Sequence, residues 1–153
     1  MGRHDEGTAI LIREPQPGDL GALLEMLGGL GHPTTATEVL ARLANLRGTG
    51  RDAVRVAVVG GEVAGLLALH WAPPLHLDAP VARITTLVVR PMARRAGVGR
   101  RLVEAAEALA SEAGCRELEL TTGTSRTGAH AFYRSLGFEV SSYRFWRPLE
   151  PAG

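Results

Sequence analysis

Seven consecutive residues, Arg94-Arg95-Ala96-Gly97-Val98-Gly99-Arg100, join three guanidinium groups to two glycines. They lie between an apolar run that Pro91 closes and an amphipathic run from Gly97 to Ala113. In the latter, Val98, Leu102, Ala105, Ala106, Leu109 and Ala113 recur at helical spacing. Strand, glycine loop and helix start, in that order, aim unpaired backbone N–H groups and the positive end of a helix dipole at whatever fills the loop. A pyrophosphate suits that place. Glycine lets it approach the backbone closely, and Arg94, Arg95 and Arg100 supply cationic partners. The dinucleotide fingerprint G-x-G-x-x-G fails here because Arg100, Arg101 and Leu102 follow Gly99. The Walker loop fails too, since it needs a lysine and the chain has none. The pattern that fits is R-x-x-G-x-G.

Other side chains capable of chemistry are scattered. His70 closes a strand, His76 lies in the loop after it, and Glu119 sits on a strand beyond the long helix. Each can accept a proton, and position alone does not choose among them. The spacing H-x5-H-x-D of His70, His76 and Asp78 matches no zinc cassette, so no metal is expected. Without lysine there is no Schiff-base chemistry. Cys115 is the single cysteine; it can form no internal disulfide and reads as a small core residue after Gly114.

The 17 basic residues, all arginine, are interspersed with 16 acidic ones for a net charge of +1. No basic stripe emerges, so no nucleic-acid partner is expected. No apolar run is long enough to span a membrane, and Met1–Gly7 lacks a hydrophobic secretion core. A cytoplasmic location without a membrane partner is the expectation.

These residues need a scaffold. A length of 153 residues predicts one domain over residues 1–153, with residues 1–8 flexible. Ala9 to Arg13 reads as a strand stopped by Pro15 and Pro17. Asp19 is placed as the N-cap of a helix with Leu20, Leu23, Leu24 and Leu27 on its inner face. Thr35 and Glu38 form a capping-box pattern before a second helix, whose inner face carries Val39, Leu40, Leu43 and Leu46. From Ala53 the period becomes two, with Val54, Val56 and Val58 alternating. Gly60-Gly61 turns the chain into a return strand from Val63 to Trp71. A proline-rich loop, Ala72 to Pro80, precedes a strand from Val81 to Arg90. After the long helix come a strand at Arg116 to Leu120 and a helix at Gly128 to Leu136. A last strand, "FEVSSYRFW" from Phe138 to Trp146, completes the order. The order β-α-α-β-β-β-α-β-α-β means an α/β (α+β) domain with a mixed sheet and helices packed on it.

Two segments carry a resemblance. R-x-x-G-x-G at Arg94 to Gly99, directly after "LVVRP" (Leu87 to Pro91), resembles the acetyl-CoA loop of the GCN5-related N-acetyltransferase (GNAT) family. "AHAFYRSLGF", with Ala129, Phe132, Tyr133, Gly137 and Phe138, is similar to that family's second signature. The resemblance implies a mixed sheet of about six to seven strands with about four helices on both faces. It implies that Arg94, Arg95, Ala96, Gly97, Val98, Gly99 and Arg100 hold the pyrophosphate of acetyl-CoA. Backbone groups of Leu87, Val88 and Val89 would pair with the pantetheine arm as an added strand. Tyr133 would be the general acid that protonates the leaving thiolate.

The resemblance further implies direct acetyl transfer to an amine, and a homodimer. It is nearest to small-amine acetylating members, the aminoalkylphosphonate N-acetyltransferases among them, through "LVVRPMARRAGVG", "AHAFYRSLGFE" and "SYRFWRPL". Acetylation of a protein N-terminus or lysine, and a non-catalytic acetyl-CoA-binding domain, are the other functions such a chain could serve. Many relatives carry an acidic residue before the L-x-V segment, where this chain has Thr85 and Thr86. The general base therefore stays unassigned. The acceptor is expected to meet the two N-terminal helices and the Ala72–Pro80 loop, with His32, Trp71, His76 and Tyr143 as candidate lining.

Overall fold

A computed structural model describes residues 9–152; the expectation that residues 1–8 are flexible lies outside them. The chain forms two compact units, Met1–Leu120 and Thr121–Gly153.

The first unit is built on a five-stranded sheet in the order β1-β2-β3-β4-β5. Its strands are β1 (Ile10–Arg13), β2 (Asp52–Val59), β3 (Glu62–Ala72), β4 (Val81–Val89) and β5 (Glu117–Glu119). The first four are antiparallel neighbours. β5 is parallel to β4 because α3 (Val98–Glu112) carries the chain back across the sheet between them. The β2–β3 hairpin turns at Gly60 and Gly61, both at positive φ, as a tight two-residue turn requires.

Side-chain alternation divides the sheet into two faces. Val54 and Val56 on β2, Leu66 on β3 and Val88 on β4 pack against Leu23 and Met26 of α1 (Leu20–Gly29) and Val39 of α2 (Ala36–Thr49). Gly65, Leu67 and Leu69 point to the other face, where α3 lies and buries Val98, Leu102, Val103, Ala106 and Ala110. The alternation of Val54, Val56 and Val58 on β2 was legible as a period-two run; their register against Leu66 and Val88 was not.

Two cap expectations resolve differently. Thr35 Oγ1 accepts from the Glu38 N–H at 3.2 Å, as a cap should, while the Glu38 carboxylate accepts from Thr34 Oγ1 at 2.9 Å. Asp19 precedes α1 but its side chain does not cap that helix. The buried carboxylate instead takes two bonds from Arg13, at 2.7 and 3.0 Å, and one from the Gln16 N–H at 2.7 Å. A fixed bidentate guanidinium outcompetes an exposed amide for a carboxylate. On α2, Leu40 is half exposed rather than inward, because Val39 and Leu43 already fill the stripe facing the sheet.

In the second unit the only described helix is α4 (Thr127–Ser135). It ends at Gly137, whose φ of +91° lets the Phe138 N–H reach back to the Tyr133 carbonyl at 3.1 Å. The expected last strand, Phe138 to Trp146, does not form. That segment has no regular structure, and Val140, Tyr143, Phe145 and Trp146 are 71–94% exposed. An alternating pattern becomes a strand only where a neighbour accepts its ladder bonds. The sheet therefore has five strands among the described residues rather than six or seven, with four α-helices as expected.

Candidate functional site

The expected cofactor segment lies at a fork in the sheet. β5 pairs with β4 only at Val81, Ala82 and Arg83. Past Arg83, β4 keeps β3 on one side and has no ladder partner on the other among the described residues of this unit. The Arg90 N–H bonds to the Ala64 carbonyl at 2.9 Å, so alternate backbone groups, those of Val88 among them, are turned to β3. The amides of Leu87 and Val89 are then the ones left facing that unpaired side. A bulge precedes them: Ala68 opposes Thr86 while Leu69 opposes Ile84, leaving Thr85 as the extra residue, its hydroxyl 3.3 Å from the Ala68 carbonyl. The bulge bends β4 where β5 diverges.

β4 then runs into the glycine loop through a turn at Pro91–Ala93. Arg95, at φ +67°, is the only non-glycine residue in the left-handed region among the described residues, and Gly97 follows at φ +84°. Two such residues so close together curl backbone N–H groups into a concave nest. Gly97 is the N-cap of α3 and offers no side chain. The first bond of the helix is from the Arg101 N–H to the Gly97 carbonyl at 3.1 Å, so the amides of Val98, Gly99 and Arg100 precede it and point out of the helix end. Arg94, Arg95 and Arg100 are exposed around this nest, and none forms an ion pair among the described residues. An extended chain ending in a pyrophosphate fits this arrangement. Its amides would meet the β4 edge, and its phosphates the nest, the helix end and the three arginines.

Two residues that support this arrangement were not identified from the sequence. A Cβ on Gly65 would sit 2.8 Å from Leu102 Cδ1, 3.0 Å from Val98 Cγ1 and 3.2 Å from the Val88 carbonyl. Glycine there lets the first turns of α3 lie directly on the sheet. A glycine inside an apolar strand is the signal that could have revealed it. Arg90, between β4 and the loop, pairs with Glu25 of α1 at 2.9 Å, while its buried Nε has no partner. No local pattern links residues 65 positions apart.

In the second unit, Tyr133 is half-buried on α4. Its ring contacts Phe132 and Phe138 edge-on, with centroids 5.2 and 5.8 Å away. Burial pushes its phenol above the ordinary value, and the charge of Arg126 partly offsets this. The hydroxyl therefore keeps its proton at neutral pH and is able to donate it. His130 Nε2 lies 2.8 Å from the Gly123 carbonyl and holds the start of α4 to its preceding turn.

The remaining candidates separate. His32, His76 and Tyr143 are exposed and Trp71 is partly buried. Trp71 lines a cavity of about 210 Å³ with Asp52, Leu43, Leu46, Arg47 and Leu109, at the opposite end of the sheet from the glycine loop. Burial raises the Cys115 thiol above its ordinary range, which fits an inert, partly buried residue rather than a nucleophile. His70, by contrast, is paired: its Nδ1 lies 3.0 Å from Asp52 Oδ1.

Comparison with known proteins identifies the family. The profile of the acetyltransferase (GNAT) family matches residues 29–138. An aminoalkylphosphonate N-acetyltransferase of Salmonella typhimurium is 38% identical over 95 residues, 62% of either chain. An aminoglycoside N(6')-acetyltransferase type 1 of Stenotrophomonas maltophilia is 31% identical over 151 residues, 95% of this chain and 97% of that one. Among solved structures, an acetyltransferase of Trypanosoma brucei superimposes with a TM-score of 0.77 at 26% identity, over 92% of this chain and all of the other. The chain belongs to the acetyltransferase (GNAT) family, whose members are acyltransferases that draw the acetyl group from acetyl-CoA.

Proposed function

We propose that this protein is an acetyl-CoA-dependent N-acetyltransferase that moves an acetyl group directly to the primary amine of a small molecule. The observation that carries the reading is the fork. A β4 edge with the Leu87 and Val89 amides free leads straight into the Arg95–Gly97 nest and the open N-terminus of α3. The small-molecule acceptor rests on the two relatives, which are an aminoalkylphosphonate and an aminoglycoside acetyltransferase by name. The same reading takes the protein to be a cytoplasmic homodimer, each subunit one domain spanning residues 1–153.

Each residue set then has a task. Arg94, Arg95, Ala96, Gly97, Val98, Gly99 and Arg100 bind the pyrophosphate. Leu87 and Val89, with Val88 between them, hold the pantetheine arm extended. The cosubstrate supplies a thioester whose carbonyl carbon is open to attack. The Leu87 amide, nearest the base of the fork, donates to the oxygen as negative charge develops there. The amine nitrogen forms the new C–N bond while the C–S bond breaks, and Tyr133 delivers a proton to the departing sulfur. No bond to the protein forms, so no nucleophilic cysteine is needed.

Release of free thiol from acetyl-CoA, measured across aminoalkylphosphonates, aminoglycosides, other small amines and lysine peptides, tests the reading. Turnover with at least one small amine and none with the peptides is expected. Tight coenzyme A binding without thiol release from any amine would overturn it.

A further inference from the structure

One row of side chains crosses four strands on the face shared with α1 and α2. Asp52 on β2 opposes His70 on β3, His70 opposes Arg83 on β4, and Arg83 opposes Glu119 on β5. Cross-strand partners project to the same face, so these four residues stand side by side. The contacts follow the row. Asp52 Oδ1 is 3.0 Å from His70 Nδ1, Asp52 Oδ2 accepts from Thr49 Oγ1 at 2.7 Å, and Arg83 pairs with Glu119 at 3.3 Å. His70 is the member whose charge partner leaves a ring nitrogen over: its Nε2 has no hydrogen-bond partner among the described residues, and its side chain is 44% exposed.

The position of this row matters more than its composition. Arg83 is the last β4 residue that β5 pairs, so Arg83 and Glu119 form the base of the fork, and His70 stands one strand behind Arg83 in the same row. In the reading above, the phosphates lie beyond Val89 and the pantetheine runs back along Val89 and Leu87. Its acyl end therefore reaches the fork on the Arg83 side of Leu87. His70 is two residues from Ala68, the partner of Thr86, so it lies about 7 Å along the sheet and one strand spacing, about 5 Å, across from Thr86. Ordered water between the imidazole and the acceptor's ammonium spans that distance.

We propose that His70 is the general base of the reaction and Asp52 its positioning residue. The proposal rests on the acetyltransferase reading and adds the element that Thr85 and Thr86 do not supply. Asp52 accepts from Nδ1–H, which fixes the ring's orientation and tautomer and leaves the Nε2 lone pair available to a proton. An acceptor arriving as R–NH3+ gives one proton to Nε2 and becomes a nucleophile. Its nitrogen then attacks the thioester carbonyl carbon, the C–N bond forms and the C–S bond breaks. The second proton lost by the nitrogen balances the one delivered to sulfur, and His70 passes its proton to solvent. The products are an amide, a thiol and one proton. Glu119 stands in the same row, but its carboxylate is engaged by Arg83 at 3.3 Å, whereas the His70 Nε2 has no partner among the described residues. Its charge and that of Asp52 favour an incoming ammonium. Arg83 lies on the row between His70 and Glu119, and Arg47 lines the cavity beside Asp52.

The test is a pH profile of kcat/KM for the best small amine, with the wild type, His70→Gln, Asp52→Asn and Glu119→Gln. Thermal stabilisation by coenzyme A serves as the control for folding and cofactor binding. His70→Gln is expected to lose about a hundredfold near pH 7 while retaining the coenzyme A response. The deficit should narrow as the pH rises and the amine arrives already neutral. Asp52→Asn should show the same pH-dependent pattern with a smaller loss. Full turnover of His70→Gln at every pH overturns the proposal. So does a deficit constant in pH and confined to the amine's KM, which would mark a binding residue. Loss of the neutral-pH limb in Glu119→Gln but not in His70→Gln would move the role to Glu119. A wild type that releases no thiol with any amine instead overturns the acetyltransferase reading, and the base assignment with it.

Discussion

At the scale of single residues, chemistry depends on what surrounds each titratable group. Tyr133 is half-buried among Phe132 and Phe138, and that environment favours its neutral form. As a proton donor it should stay competent through pH 9, so no falling limb below about pH 10 is expected from its ionisation. Tyr133→Phe keeps the ring contacts and removes only the proton. A fall in kcat of about a hundredfold, with acetyl-CoA binding by calorimetry unchanged, is the expected outcome. Asp19 has the opposite environment. Two bonds from Arg13, the Gln16 amide and the guanidinium charge hold its carboxyl below the ordinary value, against the effect of burial. A carboxyl depressed in the folded state contributes stability that is present above the unfolded value near 4 and is lost as the pH falls through the folded value. Asp19→Asn should therefore unfold at lower temperature than the wild type at pH 7, with the gap closing in scans taken at successively lower pH below about 4. Asp19 was legible as a helix-start residue. Its true partner was not, because Arg13 competes for it only once β1 and the following turn are folded.

At the scale of elements, function depends on how closely α3 lies on the sheet and where β5 leaves it. Gly65 sets the first. With alanine there, Leu102, Val98 and the Val88 carbonyl leave no room, and Leu102 is fully buried. The start of α3 must move away from β3. Overpacking of this kind costs about 1–3 kcal/mol. Because α3 carries the Val98, Gly99 and Arg100 amides with it, Gly65→Ala should weaken acetyl-CoA binding several-fold in calorimetry as well as lower the melting temperature. A variant with lowered stability but unchanged affinity would show that the helix end is not held by this contact. The fork is the second determinant. Of the strands that form it, β5 was legible from alternation and β4 from an apolar run closed by Pro91, and the helix between them from its apolar spacing. The divergence of β5 after Arg83 and the bulge at Thr85 were not, because ladder length and register are properties of two strands together.

At the scale of the whole molecule, binding and stability are linked. A cosubstrate that binds only the folded state at a hundred times its Kd adds about 2.7 kcal/mol. For a chain of this size that corresponds to a rise in melting temperature of about 5–10 °C. Acetyl-CoA should produce such a rise, and it should shrink in 0.5 M salt because Arg94, Arg95 and Arg100 are exposed charges subject to screening. Replacing the three arginines by glutamine should remove most of the salt dependence. The sequence by itself determined the order of most elements, the glycine loop before α3, and the Tyr133 helix with its stop at Gly137. These follow from period, glycine placement and capping, which are local. It also set an alternating pattern at Phe138 to Trp146 that forms no strand among the described residues. Only the tertiary structure decided that Asp52, His70, Arg83 and Glu119, drawn from four strands, stand in one row whose Arg83–Glu119 end is the base of the fork. The physical reason is that strand pairing brings together residues up to 67 positions apart, and nothing in the local sequence around any of them encodes its neighbour.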